Sequence, residues 1–261
     1  TSAIIPVHML GVAIEQDKIL AIAKKYNIPV LDDACESLGA YWGDEKLGAQ
    51  CDVAAWSFDA GKTIIAGEGG MITTNSREIY LLAREYHDHG HMYNKKLPRG
   101  KDTHRVHGFN YRMTEIQAVI AKVQLRRLDY IVEKNQQNYS IIESALIDIK
   151  GIKLRKIPKK CKPLCDTLII QFENKDIANN FVDMIKIEGL GTKNVPDAIE
   201  WHFVKYWDHM LSYFDMDINE LNNSIKTSSE ILEKCVALPI MVKTSENALK
   251  NQIQILRKVI K

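Results

Sequence analysis

VAAWSFDAGKTIIAGEGGMITTN, residues 53–75, is the stretch that decides how the fold is interpreted. It opens with an apolar run (53–58), passes through a lysine and a cluster of glycines, and ends in a second strand-like run (69–75). A short, continuous apolar run is typical of a strand that is buried on both faces. The stretch therefore predicts two strands joined by a tight turn that carries Lys62.

Strand and helix patterns alternate on both sides of this stretch. Strands are predicted at 3–8 and 28–33, and helices at 15–26, 76–90 and 113–135. Such alternation predicts an α/β fold with a mainly parallel sheet and flanking helices. In these sheets ligands bind at the carboxyl ends of the strands.

The pattern changes near Gly151, after which the chain has its own strand-then-helix order. The predicted elements there are a strand at 166–173 and helices at 176–189, 227–235 and 245–260. We therefore expect two domains. Residues 1–135 form the larger one, with helix 113–135 as the bridge, and residues 136–261 form a smaller α+β domain.

Charge and composition restrict the function classes. The net charge is +2, and KLRKIPKKCK (153–162), the densest basic stretch, has no interleaved aromatic residues, so no nucleic-acid partner is expected. No run of 18 apolar residues occurs, so no membrane span is expected. Five cysteines without framework spacing fit a reducing compartment, which predicts a cytoplasmic location. Because Thr1 opens directly on a strand pattern, we expect a segment upstream of it.

Lys62 admits several interpretations. A phosphate-binding P-loop requires an earlier glycine that this stretch lacks. A solvent-exposed lysine is the ordinary alternative, but the apolar residues on both sides weigh against it. A lysine in an apolar setting can act as a nucleophile toward carbonyl groups. We therefore interpret Lys62 as a Schiff-base residue.

A Schiff base with pyridoxal phosphate needs supporting groups. A carboxylate must pair with the pyridinium nitrogen, and Asp33 at a strand end suits that role. A hydroxyl near the phosphate is available at Ser57, five residues before Lys62. Glycines then let the chain turn sharply near the ring. For Asp33, a helix cap or turn residue remains the alternative.

Four motifs together resemble one known family. They are VHMLG, LDDACESLGAYWGDEKLGAQCDVAAWSF, the lysine with GEGGMITTN, and HGFNYRMTEIQAVIAKVQLRRLD. In this combination the chain resembles the DegT/StrS-type sugar aminotransferases, pyridoxal-phosphate enzymes of the type I aspartate-aminotransferase fold. The resemblance is strong over residues 3–135 and weaker beyond. Relatives have more than a hundred further residues before the position of Thr1, and that part contributes to cofactor binding.

The resemblance implies a role for each matching residue. Lys62 holds the cofactor as a Schiff base and shuttles the proton, and Asp33 pairs with the pyridinium nitrogen. Glu36, where many relatives carry Gln, lies by the ring hydroxyl, and Ser57 binds the phosphate. Asn110 reaches the phosphate of the partner subunit, which implies a homodimer with shared active sites.

The resemblance also implies a reaction. An amino-acid donor, with glutamate expected, passes its amino group to a keto-sugar through a pyridoxamine intermediate. SFDAGK and GTKNVPDAIEWHF resemble the subgroup that makes 8-amino-3,8-dideoxy-octulosonate. Two alternatives stay open. One is a truncated, non-catalytic interaction subunit, and the other is a pyridoxal-phosphate-dependent sugar dehydratase, although dehydrating relatives carry His in place of this lysine.

The histidines raise two further hypotheses. His8 ends the first predicted strand, and His202 stands where relatives approach the sugar, so both are candidate substrate contacts. HDHGH (87–91) has two histidines four residues apart, but Gly90 interrupts the helix between them. A polar helix end is the favoured interpretation, and no metal site is predicted.

Overall fold

The computed structural model describes residues 1–211, 213 and 217–260. The helices in this part of the chain are α1 (Gln16–Tyr26), α2 (Arg77–Tyr86), α3 (Glu115–Leu125), α4 (Leu128–Leu146), α5 (Lys175–Ile187), α6 (Ile199–His202), α7 (Asp208–Leu211), α8 (Ile218–Ser224), α9 (Lys226–Leu232) and α10 (Glu246–Val259). The strands are β1 (Leu31–Asp33), β2 (Tyr41–Trp42), β3 (Glu45–Lys46), β4 (Val53–Ser57), β5 (Gly70–Thr73), β6 (Ile152–Leu154), β7 (Cys161–Lys162), β8 (Thr167–Phe172) and β9 (Cys235–Pro239).

The chain divides into two compact units. The first comprises residues 1–133 and 157–164, and the second comprises residues 134–156 and 165–261. The division falls within α4, and the return of 157–164 to the first unit brings β7 beside β2. The sequence pattern contains no signal for this return. None of the helices in the described ranges is long and apolar enough to cross a membrane.

The first unit has a mixed sheet in the order β1-β4-β5. β1 and β4 are parallel, and Asp33 lies opposite Ala55. β5 returns antiparallel to β4. The strand predicted at 3–8 is reduced to two isolated parallel bridges, at Ile4 and Val7. The parallel part of the sheet therefore has three neighbouring chain segments, all ending at the same edge.

Small buried residues allow helix α1 to pack closely on this sheet. Ala23 of the helix joins Val30, Cys51 and Ala54 in one cluster. Ala54, the second residue of β4, has no exposed surface. The other four residues of β4 are half-buried, so the burial on both faces expected from the apolar run is only partly realised.

The helix predicted at 113–135 is two helices, α3 and α4, separated at residues 126–127. The start of α3 agrees with the sequence pattern, because Thr114 and Gln117 form a reciprocal capping box. The first of the paired arginines, Arg126, is the C-cap of α3. The apolar periodicity continues across the break and so did not reveal it.

The second unit is built on the antiparallel sheet β6-β8-β9. Phe181 and Ile185 of α5, and Leu249 and Leu256 of α10, lie in its core. β9 was not predicted, and the helix expected at 227–235 stops at Leu232. The run CVALP is too short to show a period, and its pairing with β8 decides its conformation.

Candidate active site

Three polar residues meet at the carboxyl edge of the parallel segments. The His8 amide donates to the Asp33 carbonyl oxygen at 2.9 Å, which holds the end of the first segment to the end of β1. Ser57 is the last residue of β4, the strand that pairs with β1. The backbones of His8, Asp33 and Ser57 therefore lie at neighbouring strand ends, whereas the His8 imidazole is buried and faces Asp32.

The turn that carries Lys62 is anchored by buried apolar side chains on either side. Phe58, Ile64 and Ala66 pack in one cluster with Ala121 of α3. The Ala66 amide donates to the Phe58 carbonyl at 2.9 Å and closes the turn. The apolar residues around the lysine therefore fix the backbone and aim one amine at the strand ends.

Lys62 and Glu36 form an ion pair in a sheltered position. Lys62 Nζ lies 3.1 Å from Glu36 Oε1, and the two side chains are 18% and 10% exposed. Glu36 Oε2 accepts a hydrogen bond from the Leu10 amide at 3.1 Å. Leu10 adopts a left-handed conformation (φ 55°), which costs a non-glycine residue about 1 kcal/mol. The short turn 9–11 therefore positions the Glu36 carboxylate, and this carboxylate in turn positions the Lys62 amine.

Cys35 lies between Asp33 and Glu36 along the chain, next to the partner of Lys62. Burial and the carboxylate of Asp33 raise the pKa of Cys35 to about 12. The charge of Lys62 lowers this pKa, and the charge of Glu36 raises it further. The Cys35 amide donates to Asp33 Oδ1 at 3.1 Å. Carboxylate, amine and thiol therefore share one small region at the end of β1.

A buried cluster of polar side chains lies next to the turn 9–11. His8 has no exposed surface, and its Nε2 lies 3.4 Å from Asp32 Oδ2. The Gln16 amide donates to both Asp32 oxygens, at 3.1 and 2.9 Å. Burial by itself raises the pKa of Asp32, but the facing imidazole and the Gln16 amide outweigh it and hold the pKa below its usual value. Asp32 and Gln16 were not predicted as members of the site. The two residues lie 16 positions apart, Gln16 at the start of the amphipathic helix α1 and Asp32 in β1, so no local pattern pairs them.

The residues at this edge suit pyridoxal phosphate. The site offers an amine for the aldehyde and a carboxylate for the ring nitrogen, at Lys62 and Asp33. The Ser57 hydroxyl accepts a hydrogen bond from the Asp59 amide at 3.3 Å, so its O–H can donate to a phosphate. The donor set thus matches the three polar ends of the cofactor.

Asn110 lies elsewhere in the first unit, on an exposed segment. It bridges to Asp88, just beyond α2, and its side-chain oxygen accepts from the Arg112 amide at 3.4 Å. Asp88, His89 and His91 bring ligand atoms within 4.8 Å of one another, as a metal site would require. Arg99 and Arg112 already contact the Asp88 carboxylate, so this group serves as an ion-pair partner.

His202 ends α6 in the second unit. Its Nε2 lies 3.4 Å from Asn194 Nδ2, and the neighbouring Trp201 is 80% exposed. An exposed Trp side chain offers a large apolar face with one polar edge, which suits contact with a ligand. Its role in substrate binding stays a prediction.

A cavity of about 360 Å³ in the first unit is separate from these groups. Its wall is apolar and includes Trp56, Phe58, Met71 and Leu128. None of Lys62, Asp33, Ser57 and Glu36 lines it. The candidate active site, which these four residues define, therefore lies outside this cavity.

Comparison with known proteins gives related results at three levels. A model of the DegT/DnrJ/EryC1/StrS aminotransferase family matches residues 1–257. GDP-perosamine synthase of Caulobacter vibrioides is 41% identical over 129 residues, which cover 49% of this chain and 33% of that enzyme. The UDP-4-amino-4,6-dideoxy-N-acetyl-beta-L-altrosamine transaminase of Campylobacter jejuni (strain 81-176) is 34% identical over 135 residues, or 52% of this chain and 35% of that enzyme.

Among solved structures, the Helicobacter pylori aminotransferase PseC, involved in the biosynthesis of pseudoaminic acid, superimposes with a TM-score of 0.85 at 20% identity. The superposition covers 100% of this chain and 67% of that one. At this identity the likeness shows the fold, which confirms the predicted aminotransferase fold class. The matches span about a third of the two curated enzymes.

Proposed function

Because the chain belongs to the DegT/DnrJ/EryC1/StrS aminotransferase family, we propose that it acts as a pyridoxal-phosphate-dependent sugar aminotransferase. The observation that carries the proposal is the sheltered ion pair of Lys62 and Glu36, three residues beyond Asp33 at the end of β1. A sheltered amine at this edge of the sheet is placed where it can form a Schiff base with the aldehyde of the cofactor.

Each side chain then has a defined task. The cofactor supplies an electron sink for the pair of electrons left when an amino acid loses its α-proton. Lys62 Nζ holds the cofactor and, when released, carries the α-proton. The Asp33 carboxylate pairs with the ring nitrogen, and the Ser57 hydroxyl donates to the phosphate. Glu36 Oε1, 3.1 Å from Nζ, orients the amine.

We propose an amino acid, with glutamate first, as donor and a keto-sugar as acceptor. The two curated relatives are named for amino-sugar synthesis and transamination, which supports a sugar acceptor. Within this class, amino-sugar production for lipopolysaccharide and an eight-carbon keto-sugar acid are the finer proposals, based on SFDAGK and GTKNVPDAIEWHF. All five cysteines are thiols, which suits a reducing cytoplasm.

A homodimer is part of the proposal. Asn110 is exposed, as a residue that reaches a partner's phosphate must be. Helix α3, which begins five residues later, has a solvent-facing apolar stripe formed by Ile116, Val119, Ile120 and Val123. Ile116 is 75% and Val119 60% exposed. A stripe of this spacing is typical of a helix face that another surface covers.

The test is reduction of the purified chain with borohydride in the presence of pyridoxal phosphate, followed by peptide mass spectrometry. We expect the adduct on the peptide that contains Lys62, and neither adduct nor 2-oxoglutarate release from glutamate and a keto-sugar in Lys62→Ala. The exposed Lys46, substituted in the same way, is the matched control and should leave both signals unchanged.

Two results would contradict the proposal. Adduct spread over exposed lysines in a folded chain would remove Lys62 from its role and favour a non-catalytic subunit. Sugar consumption without 2-oxoglutarate would favour a dehydratase, in which the cofactor stays but the amino group is not transferred.

A further inference from the structure

A single buried carboxylate, that of Asp88, binds several side chains of the segment that follows α2. Asp88 is 1% exposed and receives both terminal nitrogens of Arg99, at 2.9 and 2.5 Å. The Tyr93 hydroxyl donates to it at 2.7 Å, and Arg112 Nη1 also contacts it. Residues at the start, middle and end of 93–112 therefore share one acceptor, which we call the Asp88 cluster.

The charge of Asp88 is well compensated in this cluster. The hydrogen bond from Arg99 is the largest effect and, with Tyr93, His89 and Arg112, holds the pKa of Asp88 far below its usual value against the effect of burial. Arg99 and Arg112 are about half exposed at their side chains, 56% and 40%. Two guanidinium groups so close together would repel each other without the carboxylate between them.

Asn110 lies directly against this cluster. The Phe109 amide donates to the Tyr86 carbonyl, and the Tyr111 amide to the His87 carbonyl, both at 2.9 Å. These two bonds flank Asn110 and join it to the end of α2, where it lies opposite Asp88. A Cβ atom at Gly108 would lie 2.2 Å from the Gly90 amide nitrogen, so the two segments pack without space between them.

We propose that Asp88 is a positioning residue for Asn110: by holding Arg112 and Arg99 it fixes the segment that presents this asparagine. The inference rests on the proposed function in one respect, because the use of Asn110 as a phosphate contact comes from that proposal. The placement itself depends only on the contacts above.

The neighbouring pair of Glu85 and Arg105 offers a matched control. Glu85 is also buried at the end of α2, and Arg105 donates to both its oxygens, at 3.1 and 3.0 Å. Its contacts hold the middle of the segment and do not involve Asn110 or Arg112. Glu85→Gln therefore removes the same kind of interaction from the same helix end.

The experiment is hydrogen exchange of the full chain, read by mass spectrometry on peptides that cover residues 107–112. Asp88→Asn should accelerate exchange there about tenfold or more, because charged hydrogen bonds that close the segment are lost. Arg112→Gln, an exposed substitution that leaves the core intact, should act in the same direction. Glu85→Gln should change this peptide less than about threefold.

Equal acceleration in Asp88→Asn and Glu85→Gln, or none in Asp88→Asn and Arg112→Gln, would overturn the inference. A second readout is the Kd for pyridoxal phosphate, followed by absorbance. Asp88→Asn and Asn110→Ala should weaken binding by similar factors and should not add in the double variant. If Asn110→Ala alone leaves the Kd unchanged, the proposed use of Asn110 fails, while the exchange data still decide the role of Asp88.

Discussion

At the scale of single residues, the site depends on pairs of groups that compensate one another. Lys62 has Glu36, and Glu36 has the Leu10 amide as a second partner. Asp32, in the neighbouring buried cluster, is contacted by His8 and accepts a hydrogen bond from Gln16. A charge buried in this way is tolerated only while its partners remain in place. His8 is fully buried, and its Nδ1 accepts a hydrogen bond from the Ile14 amide at 3.3 Å, so the imidazole lies between Ile14 and Asp32.

Asp32 gives a pH-dependent prediction. Asp32→Asn keeps the shape but removes the charge, and we expect it to lower the free energy of unfolding by about 2 kcal/mol near neutral pH. Folding lowers the pKa of Asp32. The negative charge therefore stabilises the folded state at pH values above the unfolded pKa of about 3.9, and this stabilisation is lost as the pH falls from that value through the folded pKa. Urea unfolding at a series of pH values measures the difference.

The difference between wild type and Asp32→Asn should stay constant from about pH 7 to about pH 5 and shrink below about pH 4. Asp44→Asn is the control, because that side chain is 99% exposed and should show no such trend. If the difference in the free energy of unfolding stayed the same down to low pH, the charge of Asp32 would not be what stabilises the folded state.

At the scale of elements, side-chain caps at the starts of two helices fix where the preceding loops end. α2 begins after Ser76, whose side chain accepts from the Ile79 amide, and α3 begins at the Thr114 capping box. α3 follows the segment that carries Asn110, so its start fixes the far end of that segment. Side-chain caps of this kind satisfy amides that a helix leaves without partners.

Thr114 gives the prediction at this scale. Thr114→Ala should lower the free energy of unfolding by about 1 kcal/mol, because the amide of Gln117 loses its acceptor. Thr114→Ser keeps the hydroxyl and should stay within about 0.5 kcal/mol of wild type. The measurement is the urea midpoint of each variant. Equal losses in both would indicate that the threonine methyl group, rather than the cap, is what matters.

At the scale of the whole molecule, the proposed dimer requires a surface that a second copy covers. The stripe on α3 is apolar and faces solvent, whereas Ala121 on the opposite side of the helix is buried. One helix therefore has two apolar faces, and its own unit covers only one of them.

Val119→Lys tests the assembly. A charge in the centre of the stripe should weaken the dimer by about tenfold to a hundredfold in Kd, measured by sedimentation across a concentration series. Lys122→Gln, an exposed change on the same helix beside the stripe, should leave the Kd unchanged. Wild-type and Val119→Lys chains that sediment alike at every concentration would mean that the stripe is covered by something other than a second copy.

The sequence by itself determined the parallel strand ends, the position of Lys62 in a glycine-rich turn, the capping box at Thr114 and the family. Each is a local signal: an apolar run, a turn composition or a short motif. Only the tertiary structure decided the pairing of Glu36 with Lys62, the buried Asp32 cluster, the Asp88 cluster and strand β9. These involve residues that are distant along the chain, and no local periodicity encodes which charged groups meet when segments fold together.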